Sequence, residues 1–294
     1  MVTESPSGDG ARPSGDSARP SGDGARPSGD GARSTAIEDP TNRWLVHPLS
    51  SALLGPAIRA GITPNLVSLT GLGCGVVAAV AYWHWREPGF VLAGFAAMIA
   101  WHVFDGLDGK LARATGGGTA LGRVLDGACD YLVFIAVEMA LVFSAPGWSG
   151  RLLLALVAAA AHVVQSAAYE GERAAWSRRA AGRFAPAAHA RVTPLTAGYD
   201  VLERLLGDCV RPVDAMLAAT PDRLGRYLAV TAPRVRRLSL LGANGRTLAI
   251  ALACLAGHPT WFWWWELVGL SLIGVVLVQQ LRYGEALLSR GNGC

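Results

Sequence analysis

Charge is scarce in this 294-residue chain: 16% of residues are charged and 51% hydrophobic, too apolar a balance for an ordinary soluble domain of this length. Lysine is almost missing, since Lys110 is the only one among 26 basic residues, and arginine supplies the rest. A GC-rich coding sequence gives the same bias, so it carries no functional weight. The five cysteines, Cys74, Cys129, Cys209, Cys254 and Cys294, have neither CxxC spacing nor histidine companions, which excludes a zinc site or a disulfide framework read from sequence. The net charge of +4 is too small and too dispersed to call for a nucleic-acid partner. No Gly-rich phosphate loop, HExxH pair or nucleophile elbow occurs in the longest polar stretch.

The first 42 residues are a polar tail whose repeat offers no apolar position to bury. They repeat SGDGARP, with small variations, from Ser7 onward, and each copy contributes one Asp and one Arg. Nothing in such a repeat repays the entropy of ordering, so it reads as a disordered leader, and it has no continuous apolar core of the signal-peptide kind. Residues 43–62 space Trp44, Leu45, Leu49, Leu53, Leu54 and Ile58 at helical intervals around Pro48 and Pro56, as expected of an amphipathic helix lying on a membrane.

What is abundant is apolar run length. Six runs, at 66–85, 89–112, 119–145, 150–170, 239–257 and 261–282, each approach the ~20 residues a helix needs to cross a bilayer. The expected fold is therefore an all-α integral membrane protein. Four spans fill 63–170 and two more 239–284, with a polar connection at 171–238 and a short tail at 285–294. The connection carries Arg173, Arg178, Arg179, Arg183, Arg191, Arg204, Arg211, Arg223, Arg226, Arg234, Arg236 and Arg237. The positive-inside rule puts it, and both termini, in the cytoplasm, and Trp261, Trp263, Trp264 and Trp265 at the opposite interface as an aromatic anchor. Within the connection, Tyr199 to Ala219 reads as an amphipathic helix that lies on the membrane or caps the bundle.

Across the junction of the second and third runs lies DGLDGKLARATGGGTALGRVLDGACD, residues 105–130. Asp105, Asp108, Gly109, Ala112 and Arg113 share one helix face, Gly122, Asp126 and Asp130 share another, and Gly116 to Gly118 allow a reversal between them. Brought together, four carboxylates repel one another unless cations intervene, and an all-oxygen set favours Mg²⁺ or Mn²⁺ over zinc. A pair of such ions suits phosphoryl transfer: they clamp a diphosphate while a further Asp orients or deprotonates an attacking hydroxyl. Gly109 and Gly122 permit close approach of a ligand to the backbone, and Arg113 offers a planar fork to phosphate. The plainer alternative is a set of solvated helix-end aspartates.

These residues match without a gap the pattern D-x2-D-G-x2-A-R-x8-G-x3-D-x3-D, and in this the chain resembles the CDP-alcohol phosphotransferase family. The Thr63-Pro64-Asn65 opening of the first run and the count of spans also look like that family. The resemblance implies that Asp105, Asp108, Asp126 and Asp130 hold two divalent ions, Mg²⁺ or Mn²⁺, and that Asp130 is the general base. Gly109, Ala112, Arg113 and Gly122, with Asn65, would line the CDP site. It further implies CDP-diacylglycerol as donor, a small polar alcohol as acceptor, a bacterial plasma membrane as the setting, and a homodimer. A reversed use of substrates, with a CDP-linked polar alcohol and a lipid acceptor, stays open, as does a transporter with an acidic cluster. Arg246, one turn or so inside the fifth run, is a candidate to hold an anionic acceptor or the diphosphate, or else pairs with an aspartate or reaches the interface. Tyr169, Glu170, Arg173 and Asn244 lie at similar depth. His102, His162 and Glu138 read as packed polar residues.

Overall fold

The computed structural model describes residues 35–116, 120–185, 201–202 and 205–290, with the side chains of 120–128 left aside. The repeat leader and most of the stretch 186–204 lie outside those residues. Every regular element described is helical. A π-helical turn, Asn42–Val46, leads into α1, His47–Arg59; then come α2, Pro64–Trp83, α3, Pro88–Thr115, α4, Ala120–Phe143, and α5, Trp148–Ala180. The second half holds α6, Pro212–Ala219, α7, Leu224–Arg237, α8, Ala243–Leu255, and α9, Thr260–Arg290.

Four helices, α2, α3, α5 and α9, are long and apolar enough to cross a membrane among the described residues. A fifth candidate is the stretch Pro221–Leu241 with Ala243–Leu255, bent by 44° at Gly242. Exposed Leu69, Val76, Val80, Leu92, Leu153, Leu156, Leu272 and Val275 lie on the outer surfaces of these helices, where lipid rather than water suits them.

Helix boundaries follow local chemistry. Thr63 is extended and its hydroxyl accepts from the Leu66 N–H, while Pro64, which has no N–H to satisfy, occupies the first position of α2. At its other end α3 stops at Gly116, whose φ of 64° is the left-handed conformation that ends helices. The single helix expected over Tyr199 to Ala219 is not formed. Its chain turns at Gly207, Arg211 is extended, and a new helix begins at Pro212, which cannot donate to a preceding turn. Helix α5 continues to Ala180, past the end of its apolar run, and α9 runs through the expected tail to Arg290. Trp263 is another departure: it is fully buried in the main apolar cluster, whereas Trp261, Trp264 and Trp265 are exposed as an interfacial anchor requires.

Helix α2 is the hub of the first half and packs against both α3 and α4. Gly75 makes the second contact possible, because a Cβ there would fall inside the space of the Val133 side chain. Gly75→Ala is therefore expected to cost about 1–3 kcal/mol by overpacking. Thermal unfolding in detergent measures this, and Val133→Ala in the same chain should restore most of the loss.

Charge pairs fasten the arginine-rich connection to the spans. Arg179 holds Asp214 with two hydrogen bonds of 2.7 and 2.9 Å and reaches Glu285 at 2.7 Å and Tyr227 at 3.1 Å. Arg178 pairs with Asp208 at 3.0 Å, and Arg211 with Glu172 and Glu285 at 2.8 Å each. Arg282 completes the group on Glu172 at 2.9 Å. Burial alone would push the Asp214 carboxyl up, but the Arg179 hydrogen bonds, the Arg211 N–H and the two nearby guanidinium charges outweigh it and hold the carboxyl below its usual range.

Candidate active site

Asp105 and Asp108 lie three residues apart on α3. Asp108 is buried, and its Oδ2 accepts a 2.6 Å hydrogen bond from Ser68, one turn into α2. That hydroxyl is a positioning group the sequence pattern did not reveal, because its partner lies 40 residues away. Asp105 is partly buried and so is Asp130, in the second turn after Gly122 on α4. Asp126 and Gly122 belong to the same helix, but their side-chain surroundings lie outside the described residues, and with them the expected meeting of the two acidic faces.

The rest of the motif is arranged around α3. The Arg113 guanidinium lies over Gly109, with Nη1 3.3 Å from where a Cβ would sit, so the missing side chain makes room for the arginine. Ala112 is partly buried, Arg113 is exposed, and Asn65 is exposed in the first turn of α2. Lys110, inside the motif, turns the other way. Its ammonium donates to the His47 carbonyl at 2.8 Å and to the Ser50 and Ser51 hydroxyls at 2.7 Å each, clamping α1 across α3. Gly106 allows that approach, since a Cβ there would stand 3.2 Å from Val46.

The acceptor candidates have protein partners of their own. Arg246 is fully buried and pairs with Glu266 at 2.6 Å, with Gln165 at 2.8 Å and with the Leu241 carbonyl. Its ion pair is thus with Glu266 of α9 rather than with a motif aspartate or at the interface. Asn244 donates to Asp39 at 3.1 Å and to Asn42 at 2.9 Å, tying the segment before α1 to the start of α8. Glu170 and Arg173 pair with each other, one turn apart on α5. His102 meets Thr247 at 3.0 Å and bridges α3 to α8, and His162 meets Glu266 at 3.0 Å. Glu138, His162 and Glu266 bring ligand atoms within 4.8 Å of one another. One member, Glu138, lies two turns beyond Asp130 on α4, and the Arg246 charge on Glu266 already balances part of this second acidic group.

Carboxylates and a hydroxyl are hard oxygen donors, a chemistry that fits Mg²⁺ or Mn²⁺. Residues 61–198 match the family described as CDP-alcohol phosphatidyltransferase. The inner membrane protein YnjF of Escherichia coli is 31% identical over 143 residues, 42% of this chain and 67% of that protein. The chain belongs to the CDP-alcohol phosphatidyltransferase family. Within it, a phosphatidylinositol phosphate synthase of Mycobacteroides abscessus is 41% identical over 111 residues, 37% of this chain and 47% of that protein. Another of that name, from Mycolicibacterium smegmatis, is 40% identical over 85 residues, 29% of this chain and 36% of that protein. The match therefore spans less than half the length of these mycobacterial relatives. No solved structure matches the chain. The family match covers α2 to α5 and the whole aspartate motif, while α6 to α9 lie beyond it.

Proposed function

We propose that the chain transfers a phosphatidyl group from CDP-diacylglycerol to a small polar alcohol and releases CMP. The observation that carries this reading is the gapless motif, with Asp108 held by Ser68 at the start of the first family span. In the proposed reaction the acceptor hydroxyl oxygen attacks the phosphorus distal to cytidine, the bond from that phosphorus to the CMP oxygen breaks, and Asp130 takes the hydroxyl proton. Asp105, Asp108, Asp126 and Asp130 would hold two divalent ions, which supply charge neutralisation for the diphosphate when bound. Arg113 directs its fork at a phosphate, Gly109 and Gly122 let the nucleotide approach the helices, and Asn65 and Ala112 border it.

Six spans in a bacterial plasma membrane, α1 lying along the cytoplasmic leaflet, cytoplasmic termini and a homodimer complete the reading. The acceptor we favour is an inositol phosphate, because the mycobacterial relatives bear the name phosphatidylinositol phosphate synthase. The test supplies purified enzyme in lipid with CDP-diacylglycerol, Mg²⁺ and a panel of acceptors, inositol phosphate, glycerol phosphate and serine among them, and weighs the lipid product. A lipid carrying inositol phosphate in place of CMP is the expected result. CMP release with a different acceptor keeps the reaction and discards the acceptor, and turnover only from a CDP-linked polar alcohol reverses donor and acceptor. Ion flux in proteoliposomes without nucleotide would replace the enzyme with a transporter.

A further inference from the structure

Arg178, Arg179, Arg211, Arg246 and Arg282 each find a carboxylate, whereas the α7 arginines, Arg226, Arg234, Arg236 and Arg237, form no ion pair among the described residues. Of these, Arg234 and Arg237 share a cavity. They flank a cavity of 310 Å³ between α7 and α9, lined also by Pro233, Gln280 and Tyr283. Arg234 donates to the Val230 carbonyl of its own helix, and its guanidinium lies flat over Gly284, 3.4 Å from where a Cβ would stand. Arg237 projects outward and is exposed. Their place in the last turn of α7 suits the helix dipole, but that does not account for a cavity built between two guanidinium groups and the faces of Tyr283 and Gln280.

The depth of this cavity narrows its ligand. Along α9 the exposed side chains are apolar from Trp261 through Val276, then turn polar at Gln279 and Gln280, with Tyr283 66% exposed beyond them. Tyr283 lies about 33 Å along the helix from Trp261 at the usual rise, close to the ~30 Å hydrocarbon thickness of a bilayer. The two exposed aromatics thus mark opposite interfaces, and the cavity sits at the level of phospholipid headgroups. Two guanidinium groups without a protein anion, at that depth, match the geometry and charge of a phosphate ester.

We propose that the α7–α9 cavity binds the phosphate of an anionic phospholipid headgroup, at a site separate from the aspartate motif. Arg237 and Arg234 hold the phosphate oxygens, Tyr283 and Gln280 contact the rest of the headgroup, and the acyl chains run along the exposed apolar face of α9.

The test uses the full chain in nanodiscs of phosphatidylcholine containing phosphatidylglycerol, and counts lipids that stay bound when the protein is released for native mass spectrometry. The wild type should retain phosphatidylglycerol in preference to phosphatidylcholine. In the double variant Arg234→Gln, Arg237→Gln that preference should fall by roughly tenfold, the scale of losing charge-assisted hydrogen bonds. Gly284→Leu, which fills the floor of the cavity and lifts Arg234 away while keeping both charges, should lower it too. Thermal unfolding of each variant separates lost binding from lost fold, and each of the two variants reports independently. Equal retention by wild type and both folded variants, or no preference for the anionic lipid, overturns the proposal. Tight binding of inorganic phosphate in lipid-free detergent, lost in the double variant, would give the same chemistry to a soluble phosphate and overturn the lipid assignment.

Discussion

Replacing Asp130 by Asn is expected to slow CMP release from CDP-diacylglycerol by about 10²–10⁴-fold, the range general-base groups supply. The substitution keeps the size and shape of the side chain and removes only its negative charge and its capacity to take a proton. A helix-end aspartate that is merely solvated would tolerate it without effect, so the size of the loss separates the proposed chemistry from the plainer reading. Because Asp130 is also proposed as a metal ligand, the two roles need separate readouts. Loss of the base lowers kcat and leaves the Mg²⁺ concentration for half-activation where it was. Loss of a ligand moves that concentration upward. Unchanged kcat in a folded variant removes Asp130 from the proposed reaction altogether.

The largest expected effect on stability comes from Asp214→Ala. Asp214 is buried, accepts two bonds from Arg179 and one from the Arg211 N–H, and stands 3.3 Å from Arg178. Truncation leaves guanidinium groups buried without their anion, a loss of about 3–5 kcal/mol for a pair of this kind. The sign of the pH dependence follows from the carboxyl being held below its usual range in the folded chain. Its contribution is present above the ordinary aspartate value, about 3.9, and is lost as pH falls through the lower folded value. In thermal unfolding the wild type should thus lose ground to Asp214→Ala only in strong acid. A variant as stable as the wild type at neutral pH would show that the ion pairs are offset by the cost of burying them.

The part of this molecule written most plainly in its sequence is the part governed by local rules. Run length announces the apolar helices, Thr63 and Pro64 announce the start of α2, and motif spacing announces which aspartates share a face. The connection was less legible, because its arginines read as a solvated, orienting charge. Several are instead neutralised by Glu172, Asp208, Asp214 and Glu285, carboxylates as far as 106 residues away in the chain. Arg246 shows the same limit: its depth in α8 was evident, but its partner Glu266 stands on another helix. Proline gave mixed guidance, breaking the chain at Pro212 yet fitting within α1 at Pro56. Lys110 gave none, since nothing local says that the one lysine within the motif is turned toward α1 rather than toward a phosphate.

One more property follows from the π-helical stretch Trp265–Leu270 inside α9. Such a stretch accommodates a residue more than the α-helical count, so α9 behaves as two α-helices joined out of register, each keeping its own angular setting. The first setting turns Trp263 into the core, the second aims Leu281 and Glu285 at the connection, and Glu266 sits at the seam between them. Shortening the seam by one residue would swing everything after it by about 100°, the turn of one α-helical residue. Glu285 would then face away from Arg179 and Arg211, although the helix itself would have become more regular.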